Sequence, residues 1–150
     1  MEKSELISTL NDLIETCKDG EEGFLACSEG IKDPMLKASF MERSLDCGEA
    51  ADELQELVLS LGGNPETQSS LAGMLHRRWV DIKSAITGQD EEAVLNECER
   101  GEDLAIRNYK NALEKNLPEY VRIIVERQFA GVRANHDEVK LMRNSAAASH

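Results

Sequence analysis

Two short stretches of the sequence repeat one pattern of chemically reactive side chains. Residues 17–22 read CKDGEE and residues 98–103 read CERGED, so each has a cysteine, a glycine three residues later and then a glutamate. At about 100° per residue, Glu21 and Glu102 fall on the apolar faces of their helices. An uncompensated carboxylate in a protein core costs several kcal/mol, so we expect each glutamate to have a partner.

Metal ions are the partners of such glutamates in ferritin-like di-iron bundles, which add Glu-x-x-His from each of two further helices. In this chain, Arg43 is the inward-facing residue of the second helix at about the same height along the bundle as Glu21. Gln128 is an inward-facing residue of the fourth helix at about the height of Glu102. Both side chains supply hydrogen-bond donors, and a guanidinium repels a metal cation. The sequence therefore predicts a buried polar network of Glu21, Arg43, Glu102 and Gln128, with no catalytic residue and no cofactor.

A degenerate metal site is the alternative prediction. His136 lies at the edge of the apolar face of the last helix, so the candidate ligands are Glu21, Glu102 and His136, and the candidate ions are iron or manganese. Three cysteines also point inward, and we interpret them as small packing side chains, with a thiolate metal site as the alternative. They are Cys17, Cys47 and Cys98.

Four long segments position these residues. Apolar side chains recur in them every three or four positions, and no segment alternates with a period of two, so the pattern predicts helices and no sheet. The predicted helices run from Ser4 to about Glu29, from Pro34 to Leu61, from an N-cap at Asp90 to about Asn116, and onward from Pro118. Residues 69–88 predict a shorter helix in the connection between the second and third.

The lengths of the connections predict the topology. The first and last connections are short, whereas the middle one has about 28 residues and can span a bundle lengthwise. The prediction is an all-α, ferritin-like four-helix bundle with one long crossover, and the simple up-down-up-down bundle is the runner-up. We expect one domain over residues 1–144 and a disordered or vector-derived tail over residues 145–150. The repeated pattern further predicts a duplicated hairpin, related by a pseudo-twofold axis.

The charge of the chain limits its partners. It has 29 acidic against 17 basic residues and a formal net charge of −12, which repels nucleic acids and anionic membrane surfaces. We find no signal peptide, no membrane span and no metal-binding spacing among the four cysteines. These observations predict a cytoplasmic protein that binds neither nucleic acid nor membrane.

Four runs of sequence carry a resemblance to a known family. They are LNDLIETCKDGEEGF (10–24), DELQELVLSLGGNPE (52–66), SLAGMLHRRWVDIKSAITGQDEEAVLNECERGED (70–103) and VERQFAGVRANHDEV (125–139). Over nearly its full length the chain resembles the bacterial ferritin-like four-helix-bundle proteins catalogued as a domain of unknown function, the DUF2383 family. The resemblance implies a ferritin-like fold and a bacterial cytosolic setting, and it implies no activity.

Together these patterns predict a protein that acts through its surface. Our leading hypothesis is a non-catalytic bundle that works as a homo-oligomer, with a dimer favoured, or as an interaction module. The alternative is a metal-binding oxidoreductase with a degenerate iron or manganese site. The patterns favour the non-catalytic hypothesis, and they leave open whether the protein is an enzyme.

Overall fold

The computed structural model describes residues 1–67 and 91–148, in which the chain forms four long helices and no strand. Helix α1 covers Lys3–Gly30, α2 covers Pro34–Ser60, α3 covers Glu91–Leu113 and α4 covers Glu119–Ala148. The all-α four-helix bundle predicted from the periodicity of apolar residues is confirmed. The short helix predicted over residues 69–88 lies outside the described residues.

The ends of α2 follow from local sequence chemistry. Asp33 caps its first turn, where one carboxylate oxygen accepts hydrogen bonds from the backbone N–H groups of Met35 and Leu36, and Pro34 is the first helical residue. Gly62 follows the last turn with φ of 81°, a conformation that costs little only for glycine. Helix α1 begins at Lys3, one residue before the predicted start at Ser4, and its first turn has no side-chain cap.

Contacts between helices give their relative directions. Lys115, just beyond the end of α3, bonds Thr9 near the start of α1, whereas Cys98 near the start of α3 contacts Cys27 near the end of α1. The two helices are therefore antiparallel. Contacts of the same kind, in which the start of one helix lies near the end of the other, make three further pairs antiparallel. They are α1 with α2, α2 with α4, and α3 with α4.

These directions make α2 and α3 parallel, with Ser60 and Glu91 at opposite ends of the bundle. This is the order required by a bundle with one long crossover, and it differs from an up-down-up-down bundle. Evolutionary kinship with ferritins and the duplication of a hairpin stay predictions. Helix α4 continues to Ala148, into the segment predicted as a tail, and the domain limits also stay a prediction.

Two apolar clusters make up the core, one towards each end of the bundle. The first lies around the N-terminal half of α1, with the buried residues Leu6, Leu10, Leu13, Ile14, Leu54, Val58, Val121 and Val125 among its members. The second lies around the C-terminal end of α1, with Phe24, Phe40, Val94, Leu95 and Val139. The buried polar side chains of Arg43 and Glu102 lie in the part of the bundle between them.

A helix that crosses a membrane must be long and almost entirely apolar. Among the helices of residues 1–67 and 91–148, none combines the length and the apolar composition that crossing a bilayer requires.

Candidate functional site

Glu102 is the buried carboxyl group at the centre of the bundle. Its residue is 4% exposed on α3, and its Oε1 atom has no hydrogen-bond partner among the described residues. Burial raises the pKa of Glu102 to about 8, against a lowering effect of the Arg43 charge and a further raising effect of Asp103. At neutral pH the Glu102 side chain is therefore mostly a neutral carboxylic acid.

Arg43 is the buried cation of the same region. It is 3% exposed on α2, and its Nη2 atom pairs with the carboxylate of Glu138 on α4 and approaches the Ser39 hydroxyl at 3.4 Å. The Nε and Nη1 atoms have no hydrogen-bond partner among the described residues. Arg43 is close enough to lower the pKa of Glu102, so the structure brings these two predicted residues together.

Gln128 lies in a different set of hydrogen bonds, which links all four helices. The Tyr109 hydroxyl on α3 donates to Gln128 Oε1 at 2.8 Å, and the Gln128 amide donates to Glu53 Oε1 on α2 at 2.8 Å. On the other side, the Tyr109 hydroxyl is 3.1 Å from Cys17 Sγ on α1. Gln128 is therefore a polar partner in the bundle, as its position predicts, but it pairs with Tyr109 and Glu53.

Glu21 is less buried than its place on the apolar face of α1 predicts. Its side chain is 37% exposed, and its Oε1 atom lies 3.5 Å from the Lys18 ammonium. Its carboxylate lies against Gly48 on α2, where a Cβ atom would overlap it. The missing side chain of Gly48 leaves a space between α1 and α2, and the carboxylate occupies it next to solvent.

A cavity of about 70 Å³ lies inside this polar region. Its lining includes Glu102, Tyr109 and all four cysteines of the chain, which are Cys17, Cys27, Cys47 and Cys98. Burial raises the pKa of Cys17 to about 11 and raises the pKa values of Cys47 and Cys98 well above the ordinary value. These three thiols, Cys17, Cys47 and Cys98, are therefore protonated at neutral pH and are weak nucleophiles.

The residues around Glu102 do not fit a di-iron site. A di-iron site needs several carboxylates and histidines around one space, whereas the groups that interact with Glu102 are the Arg43 guanidinium, the Asp103 carboxylate and the thiols of Cys47 and Cys98. Of the predicted ligands Glu21, Glu102 and His136, only His136 belongs to a group of three with metal-ligand spacing in the described part of the chain.

That group lies on the outer side of α3 and α4. One ligand atom each from Glu99, Asp103 and His136 lie within 4.8 Å of one another, and His136 Nε2 is 2.6 Å from Asp103 Oδ1. Glu99 and Asp103 are one turn apart on α3, so they share a face. Imidazole and carboxylate together can bind iron, manganese or zinc.

Sequence reasoning missed four of the residues that hold this region together. They are Cys27, Glu53, Tyr109 as a polar partner, and Glu138. A buried arginine such as Arg43 needs a carboxylate partner, and this need was the signal for Glu138. The relative alignment of α2 and α4 could not be derived from a short turn, because the two helices are not consecutive in the chain. Cys27 had a signal in its position three residues after Phe24, on the same face of α1.

Comparison with known proteins places the chain in one family. A family model described as a domain of unknown function (DUF2383) matches residues 5–115. A search of curated proteins gives no match.

Proposed function

This chain belongs to the family described as a domain of unknown function (DUF2383), and we propose that it is a non-catalytic bundle that acts as a homodimer. The observation that carries the proposal is an exposed apolar stripe on the outer face of α2. Of the predicted network, the proposal keeps the buried Arg43 and Glu102 as a structural feature of the core, whereas Glu21 lies next to solvent and Gln128 pairs with Tyr109 and Glu53.

The α2 stripe consists of Met35, Ala38, Met41 and Leu45, all of them exposed. Their spacings of three, three and four residues bring them to one side of the helix. Leu45 is 69% exposed, and side chains of this kind gain free energy when another surface covers them. A twofold axis near Met41 would pack the stripe of one copy against the stripe of a second.

The chemistry of the interior supports the non-catalytic part of the proposal. The pKa values of Cys17, Cys47 and Cys98 are raised by burial, whereas a catalytic thiol needs a lowered pKa. Arg43 brings a fixed positive charge to Glu102, where a metal cofactor would need an anionic ligand set. A structural core of this kind leaves the surface to carry the function.

A charge placed in the stripe tests the dimer. We expect the wild-type chain to sediment at twice its 16.7 kDa mass and the Leu45→Glu variant to sediment as a monomer, because a carboxylate would be desolvated at the interface. Leu59→Glu is the matched control, since Leu59 is 61% exposed on the same helix but lies outside the stripe. A monomeric wild type, or equal effects of the two substitutions, would contradict the homodimer.

The second candidate function is metal binding. It is the part of the alternative hypothesis, a metal-binding oxidoreductase with a degenerate site, that an observation favours. The observation that favours it is the Glu99, Asp103 and His136 group, which joins α3 to α4 by side chains that suit manganese or iron. Three protein ligands would leave coordination positions for water or a substrate.

Manganese titration followed by electron paramagnetic resonance tests this candidate. Binding of Mn²⁺ to the wild-type chain should reduce the signal of the free ion, and the Asp103→Asn and His136→Ala variants should lose that effect, since each removes a ligand. Glu22→Gln is the charge-matched control because Glu22 is exposed on α1, away from the group. Unchanged binding in the His136→Ala variant would eliminate the site.

A further inference from the structure

The closest pair of reactive side chains in the described core is Cys27 with Cys98. Their sulfur atoms are 2.7 Å apart, Cys27 lies on α1 and Cys98 lies on α3, and 71 positions separate them in the chain. Both residues are buried and both are free thiols. A disulfide needs the two sulfurs about 2.05 Å apart, so a small side-chain movement would bring them to bonding distance.

The cavity beside this pair offers space for a small reagent. Cys27, Cys98 and Glu102 line the same cavity of about 70 Å³, and a water molecule needs about 10–15 Å³ of such space. Glu102 is 96% buried and has one oxygen without a partner among the described residues, so it can form a hydrogen bond with a polar molecule in the cavity. A molecule of the size of hydrogen peroxide fits both the space and the polarity.

We propose that Cys27 and Cys98 form a dithiol that hydrogen peroxide in the adjacent cavity oxidises to a disulfide. In the first step one sulfur bonds to a peroxide oxygen, the O–O bond breaks, and water leaves with the thiol proton, which gives a sulfenic acid. In the second step the other sulfur bonds to the first, the S–O bond breaks and a second water leaves. The two sulfurs lose two electrons, and the peroxide gains them.

The disulfide would tie α1 to α3 across the core. The other two cysteines have different neighbours: Cys17 Sγ lies against the Tyr109 hydroxyl, and Cys47 Sγ lies where a side chain at Gly20 would be. The modification is therefore specific to one pair. Because burial keeps the Cys98 thiol protonated, the reaction is slow compared with that of a catalytic cysteine.

Mass spectrometry of the full chain tests the proposal. Reduced protein is treated with hydrogen peroxide, denatured, and alkylated with N-ethylmaleimide. We expect the oxidised chain to lose the mass of two hydrogen atoms and to accept two maleimide groups, against four for the reduced chain. A non-reducing peptide map of the wild type should contain a peptide that joins Cys27 to Cys98, and thiol reductant should restore all four sites.

Variants identify the pair. Cys27→Ser and Cys98→Ser should abolish the loss of mass, whereas Cys17→Ser and Cys47→Ser should retain it, and the oxidised wild type should unfold at a higher denaturant concentration. Peptide mapping of the wild type needs no folded variant, so it decides the question alone. A cross-link through Cys17 or Cys47, stepwise addition of oxygen to separate thiols, or four sites still open after peroxide treatment would overturn the proposal.

Discussion

Glu102 is the residue at which burial and charge conflict most directly. Desolvation raises its pKa to about 8, and the nearby Arg43 charge only partly offsets that effect. The result is a neutral acid in the core at pH 7, which avoids the cost of a buried anion and can donate a hydrogen bond. A residue that sequence analysis treats as a charge is therefore a polar, uncharged group in the folded state.

The pKa of Glu102 gives the stability of the fold a specific dependence on pH. In the unfolded chain its pKa is near 4.5, and in the folded chain it is about 8, so between these values the folded state binds one more proton. The free energy of unfolding therefore falls as pH rises from 4.5 to 8, by up to about 5 kcal/mol from this group. Above pH 8 the loss is complete.

Urea unfolding across this pH range tests the assignment, with the neutral Glu102→Gln variant as the comparison. The variant should lack this part of the decline, so its stability relative to the wild type should increase with pH. Glu22→Gln, at an exposed position of α1, controls for the general loss of one negative charge. Parallel curves for the wild type and Glu102→Gln would show that Glu102 is ionised in the folded state.

At the scale of helices, the sequence predicts those features that depend on neighbouring residues in the chain, such as where a helix begins and ends. The caps at Asp33 and Pro34 and the end of α2 before Gly62 follow from backbone preferences, so they could be derived from adjacent residues. The pairing of side chains between helices could not be derived in this way. Arg43 meets Glu138 rather than Glu21, because the rotation of α2 about its axis depends on packing against both α1 and α4.

Close approach between helices is the second feature that depends on context. A Cβ atom at Gly20 would lie 2.8 Å from Cys47 Sγ, so a larger residue at this position would force the Cys47 side chain to shift. The sequence offered the glycine after each cysteine, but only the structure identifies what lies against it. The Glu21 carboxylate likewise occupies the space that a side chain at Gly48 would fill, and it lies next to solvent there.

At the scale of the whole molecule, net charge has opposite effects on the two possible uses of the α2 stripe, which are binding a second copy and binding a different protein. Each copy carries a formal charge of −12, so two copies repel each other while their apolar stripes attract. A basic partner would instead be attracted by the same field. The response of the complex to salt therefore depends on whether the α2 stripe binds a second copy or a different protein.

We expect sodium chloride to lower the dissociation constant of a homodimer, because the screening length falls from about 10 Å at 0.1 M to about 3 Å at 1 M and weakens the repulsion between like charges. Sedimentation of the wild type over a series of protein concentrations, at low and high salt, measures this change. The Leu45→Glu variant should stay monomeric in both, which controls for non-specific association. A dimer that dissociates as salt increases would depend on attraction between opposite charges, and the apolar α2 stripe could not then be its interface.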